Sequence, residues 1–158
     1  MKNVHKQRPL IGVVINEPDQ DFYSKTMYYL QKELFAHDAD VVIYNTLLTQ
    51  SDQINIENSV FSLIEPEMID GLIIFGRTIR SEEASAELRR FIDHSGMPAV
   101  YVGAEAEGFT SVMFDNDECA DKLVRHLTEW HNVREVCYVS GPKTSPHHER
   151  LLESFRRA

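Results

Sequence analysis

Short runs of β-branched and aliphatic residues alternate along this chain with stretches whose apolar residues recur every three or four positions. Residues 10–15 form the first run and stop at a polar, acidic turn that opens with Asn16 and Glu17. A continuous apolar run of this length suits a strand of a parallel sheet with both faces covered. Tyr23, Met27, Leu30 and Leu34 then share one helical face, which predicts helix one over residues 22–36. Strand two is predicted at residues 41–44. Ile56, Val60, Leu63 and Ile64 predict helix two, with Pro66 as its stop.

The alternation continues. Residues 71–75 predict strand three. Ser81 is placed to cap helix three, whose inner face is Ala84, Leu88, Phe91 and Ile92, with Gly96 as its stop. Pro98 opens strand four at residues 99–102, and residues 112–114 give a short strand five. Asp115-Asn116-Asp117 offers caps for helix four, with the stripe Ala120, Leu123, Val124 and Leu127. Residues 136–139 predict strand six, broken by Ser140-Gly141-Pro142, and a last helix starts near His147 and runs to Ala158. Strand and helix alternating with a period of about thirty residues is the mark of right-handed βαβ units and a parallel sheet.

The chain has 158 residues, enough to bury one core. Asp and Glu outnumber Lys and Arg by 25 to 16, a net charge of -9, which sets most of the surface against a phosphate backbone. No nucleic acid is expected to bind by these residues alone. The apolar run after Lys2, Lys6 and Arg8 is too short for a signal-peptide core, and no stretch approaches membrane-spanning length. The expectation is a cytoplasmic protein with no membrane contact. Cys119 and Cys137 are accordingly read as reduced core or near-core thiols, not a disulfide.

Several chemistries are disfavoured by particular residues. The turn after strand one lacks glycine and carries Glu17, Asp19 and Asp21, three carboxylates that repel phosphate at a helix start. In Gly141-Pro142-Lys143-Thr144 the upstream glycine of a phosphate loop is missing, and Pro142 lacks an N–H. A receiver domain would need an Asp at the end of strand three, where Phe75 stands. The Ser elbow G-x-S-x-G is absent. His147-His148-Glu149 reads as a solvated helix start rather than a metal site, because neighbouring helical residues point apart. No cofactor, metal or catalytic residue is assigned.

What remains is a binding constellation at the carboxyl ends of strands, where open α/β sheets place ligands. Asp19, Asp21, Phe22 and Tyr23 follow strand one, Phe75 and Arg77 follow strand three, and Gly103 follows strand four. An aromatic wall with a few directional polar groups suits a small polar molecule such as a sugar or nucleobase. The plainer reading is that Phe22 and Tyr23 only staple helix one and that Arg77 is a surface charge.

The pieces 9–14, 69–74, 97–103, 112–116, 123–127, 136–142 and 155–158, in this order and spacing, resemble the effector-binding domain of the LacI/GalR family, which has the type I periplasmic-binding-protein fold. The resemblance implies an α/β protein: a doubly wound parallel sheet of order 2-1-3-4-5 with the start of a second α/β lobe. Residues 1–8 would be a polar leader, 9–116 the first lobe and 117–158 the beginning of a truncated second lobe, in a chain whose natural sequence continues. Asp115 and Asn116 would be the hinge. Effector contacts would map to Asp19, Asp21, Phe22, Tyr23, Phe75, Arg77 and Gly103. The second-lobe arginine of the family is approximated by Arg150, one residue off the usual spacing to Phe155, and Ser154 replaces the usual glycine. A homodimer through helices one and three is implied.

Two output classes follow from the resemblance. One is a regulator that relays effector binding to a fused domain or partner subunit. The other is a sensor preceding a diguanylate cyclase (GGDEF) module, which residues 59–64 and 126–131 suggest in style. Family repressors begin with a helix-turn-helix that this sequence lacks. The competing class is a stand-alone flavodoxin-like, nucleotide-dependent enzyme, against which the acidic first turn argues. A structural pairing domain with an empty cleft is a further alternative.

Overall fold

The computed structural model describes residues 8–16, 20–45, 56–79, 81–114, 117–140 and 146–158. Two compact units divide the chain, Met1–Met113 and Phe114–Ala158. In the first, β1 (Leu10–Val14), α1 (Asp21–Ala36), β2 (Asp40–Tyr44), α2 (Ile56–Phe61), β3 (Gly71–Ile74), α3 (Glu82–Ser95), β4 (Ala99–Val102) and β5 (Thr110–Val112) follow in order. The five strands make one sheet of order β2-β1-β3-β4-β5, and every pairing is parallel. The order expected from the resemblance is the one observed.

Alternation along the strands sends neighbouring residues to opposite faces. Val13, Ile15 and Phe75 pack with Met27 of α1, flanked by Tyr23 and Leu30. Val14, Leu72, Ile74 and Tyr101 pack on the other face with Phe61 of α2 and Ala84, Leu88 and Ile92 of α3. Each fully buried Leu or Ile contributes about 1.5–3 kcal/mol relative to exposure. α3 is bounded as its sequence indicates: the Ser81 hydroxyl accepts the Ala84 N–H, and Gly96 closes the helix in the left-handed region.

Several expectations change. Helix two ends at Phe61 and passes into turns, so its 3.6-residue periodicity stops there: Phe61 is buried and Leu63 is exposed. Strand five lies two residues earlier than expected, because its ladder with β4 pairs Val100 with Thr110 and Val102 with Val112. Residues 136–139 are not a strand. A strand needs a ladder partner, and among the described residues none runs beside this segment. Both cysteines are free and exposed rather than near a core.

The second unit comprises α4 (Asp117–Arg125), a π-helical turn (His126–Trp130) and α5 (Pro146–Arg157). α4 and α5 pack together, burying Val124 and Ser154, and Tyr138 lies 5.0 Å from Phe155 between ring centroids. Leu123, expected in the inner stripe of helix four, is exposed. Among the described residues no helix is long and apolar enough to cross a membrane.

Candidate functional site

Where β1 ends, the chain leaves the sheet at a buried polar residue. The Asn16 backbone N–H donates to Thr78 Oγ1 at 2.9 Å, and its side-chain Nδ2 donates to the Thr78 carbonyl at 3.1 Å. The Thr78 hydroxyl donates in turn to the Phe75 carbonyl at 2.7 Å. Asn16 and Thr78 are 1% and 2% exposed, so water cannot replace these bonds and each lost partner costs about 1–3 kcal/mol. The effect is to fix the one-turn 3₁₀ segment Gly76–Thr78 against the end of β1.

That turn sits on a close contact. A Cβ on Gly76 would lie 2.8 Å from Ala104 Cβ and 3.2 Å from Tyr101 Cδ1, so the turn can lie this near β4 only without a side chain. Beneath it, Tyr101 is buried, with its ring centroid 5.4 Å from that of Phe109. Burial raises the Tyr101 phenol above its usual pKa, while the nearby Arg89 guanidinium pulls it down.

α1 starts at Asp21 after Gln20, which is extended and makes no side-chain cap. Asp21 is exposed in the first turn, where the helix dipole favours a carboxylate. Phe22 and Tyr23 meet edge to face at 5.3 Å, and Tyr23 meets Phe75 edge to face at 6.0 Å. The three rings form a graded ladder: Phe22 is half exposed, Tyr23 is intermediate, and Phe75 belongs to the core. Two residues after Phe75, Arg77 is exposed and its aliphatic stem lies near Gly103. A Gly103 Cβ would be 3.4 Å from Arg77 Cδ. Gly103 has φ +74° and donates its N–H to the Val112 carbonyl at 2.9 Å, turning the chain out of β4.

Of the residues singled out in the sequence, Phe22, Tyr23 and Phe75 are thus in one ring ladder, Asp21 precedes it on the same helix, and Arg77 and Gly103 are in contact. Asp19, Asp115 and Asn116 lie outside the described residues. Arg150 is exposed on α5 of the second unit. Sequence reasoning placed Asn16 at the head of the polar turn but missed Thr78 and the pairing between them. The available signal was a polar side chain directly after a buried strand, a position where an unpaired amide is costly.

Among the described residues no three His, Cys, Asp or Glu side chains cluster so as to hold a metal ion. The arrangement offers one exposed carboxylate, one exposed guanidinium and a partly exposed aromatic edge. That set can accept from hydroxyls, donate to ring oxygens or carbonyls, and cover an apolar ring face.

The family described as "Periplasmic binding proteins and sugar binding domain of LacI family" matches residues 8–158. No curated protein matches in sequence. Among solved structures, the lac repressor dimer bound to operator and the anti-inducer ONPF aligns with TM-score 0.71 and 17% identity, over 96% of this chain and 51% of its own. The trehalose repressor from Escherichia coli aligns with TM-score 0.68 and 18% identity, over 96% and 55%. The transcription regulator CcpA of Lactococcus lactis aligns with TM-score 0.72 and 14% identity, over 96% and 53%. These likenesses share the fold, and the chain spans about half the length of each structure.

Proposed function

This chain belongs to the family of periplasmic binding proteins and LacI-type sugar-binding domains, and from that premise we propose that it is a non-catalytic sensing module for a small polar effector of the sugar or nucleobase class. The observation that carries the reading is the ring ladder and the Arg77–Gly103 pair, both at the carboxyl edge of a five-stranded parallel sheet. Open sheets bind ligands at this edge. In this reading Phe22 and Tyr23 cover an apolar face of the effector, with Phe75 backing Tyr23 from the core. Asp21, with Asp19, accepts from hydroxyls, Arg77 donates, and Gly103, at φ +74°, turns the chain beside it.

Effector binding shifts the module between open and closed states by its differential affinity for the two, and an output domain or partner subunit reads the shift. Subunits pair through α1 and α3. Tyr28, Tyr29 and Phe35 of α1 are all more than half exposed, and such aromatic surface suits an interface core.

The test is calorimetric titration of the chain with a panel of monosaccharides and nucleobases, alongside sedimentation analysis. One compound class is expected to bind saturably to wild type, more weakly to Tyr23→Ala. Binding unaltered in Tyr23→Ala and Arg77→Ala together would move the site elsewhere, and no binding across the panel would reject the effector class.

A further inference from the structure

The π-helical turn at the end of α4 brings two histidines together. The Nε2 atoms of His126 and His131 are 3.0 Å apart, and the ring centroids are 4.7 Å apart with the planes at 80°. In an α-helix, side chains five residues apart point about 140° away from one another. Here the His131 N–H donates to the His126 carbonyl at 3.3 Å, the i→i+5 bond of a π turn, which restores the two side chains to one face. π turns are rare and are frequently found at functional sites.

We propose that His126 and His131 form a two-imidazole site for a divalent transition-metal ion, of the Ni2+ or Cu2+ type. Two nitrogens bound about 2.0–2.1 Å from one ion are about 2.9 Å apart at a right angle and about 3.4 Å apart at the tetrahedral angle. The observed 3.0 Å matches adjacent corners of a tetragonal or octahedral ion, the geometry of Cu2+ and Ni2+ with nitrogen and oxygen ligands. A hydrogen bond between neutral rings would also bring the nitrogens to this distance. It prefers a near-linear N–H···N, which with head-on rings places the centroids about 5.3 Å apart. At 4.7 Å the rings are not head-on, and two rings bound at a right angle to one ion would have their centroids about 4.6 Å apart. Both histidines are exposed, so water can fill the remaining coordination positions. With two protein ligands the dissociation constant is expected in the micromolar range, far weaker than a four-ligand structural site.

The chain carries its own probe. Trp130, the single tryptophan, adjoins His131 and is 78% exposed. Titrating Ni2+ into the full chain is expected to quench its fluorescence saturably, with one ion per chain, and to raise the melting temperature. His126→Asn and His131→Asn are each expected to weaken that binding about ten-fold or more while leaving the metal-free melting temperature within a few degrees of wild type. Mg2+, which prefers oxygen ligands, is expected to produce no effect. Absence of saturable quenching in wild type would show a hydrogen-bonded pair only and overturn the proposal. So would quenching and thermal shift that persist unchanged in the double variant, which would place the ion on other residues.

Discussion

Thr78 Oγ1 accepts the Asn16 backbone N–H at 2.9 Å and donates to the Phe75 carbonyl at 2.7 Å, with both residues buried. One hydroxyl therefore joins the end of β1 to the turn after β3. Thr78→Val keeps the shape and deletes both bonds, leaving a buried N–H without a partner. A loss of about 1–3 kcal/mol is expected in urea denaturation, with Thr78→Ser, which keeps the hydroxyl, losing less. Equal stability of Thr78→Val and wild type would mean that the turn is held by packing alone.

Gly76 is set by close approach. The Cβ of Gly76→Ala would lie 2.8 Å from Ala104 Cβ, an atom that moves only with its backbone. Overpacking of this kind costs about 1–3 kcal/mol. Ala104→Gly in the same chain should recover part of that loss, and a double-mutant cycle measures the coupling. Additive effects would contradict the contact.

The start of α3 rests on Ser81, whose hydroxyl accepts the Ala84 N–H at 3.1 Å. Ser81→Ala is expected to cost about 1 kcal/mol by chemical denaturation, and Ser81→Asp to cost little.

Burial raises the pKa of Tyr101 despite Arg89, and raises that of Tyr44 with help from Glu65. A phenol whose folded pKa exceeds its unfolded value binds its proton more tightly when folded. Its contribution is complete below the unfolded value near 10 and is lost as pH rises through the folded value. Stability should therefore fall above about pH 10, and Tyr101→Phe should flatten that fall. Tyr44→Phe serves as the comparison, and an alkaline limb unchanged in both variants would assign it to other groups.

If the sheet edge is the effector site, Asp21→Asn should weaken binding of the compound identified by calorimetry about ten-fold, or about 1.4 kcal/mol, with only the small drop in melting temperature that losing a helix-dipole carboxylate brings. Loss of stability instead of affinity would make Asp21 a helix-dipole residue only.

The sheet was legible because buried parallel strands are written as unbroken apolar runs, as at residues 10–15 and 71–75. Helix three was legible from both ends, since Ser81 and Gly96 are chemically suited to their caps. Helix two misled because Leu63 continues an apolar spacing after the helix has ended, and nothing local distinguishes it from Phe61. The segment at 136–139 has strand composition, but pairing is a property of two segments and cannot be read from one. Proximity to strand ends pointed to Tyr23, Phe75, Arg77 and Gly103. The Asn16–Thr78 connection was hidden because it spans 62 positions of sequence, and the π turn was hidden because His126 and His131 fall on different faces at α-helical spacing.

The place of β1 between β2 and β3 has a consequence for biosynthesis. β1 leaves the ribosome before both of its neighbours, residues 40–44 and 71–74. Its backbone groups stay without a lasting ladder until both segments have emerged, and parallel pairing of this separation is intrinsically slow to nucleate. The nascent apolar run at 10–15 is therefore the segment most exposed to chaperone capture or misassembly. Substitutions that slow the arrival of β3 should lower soluble yield before they alter the finished fold.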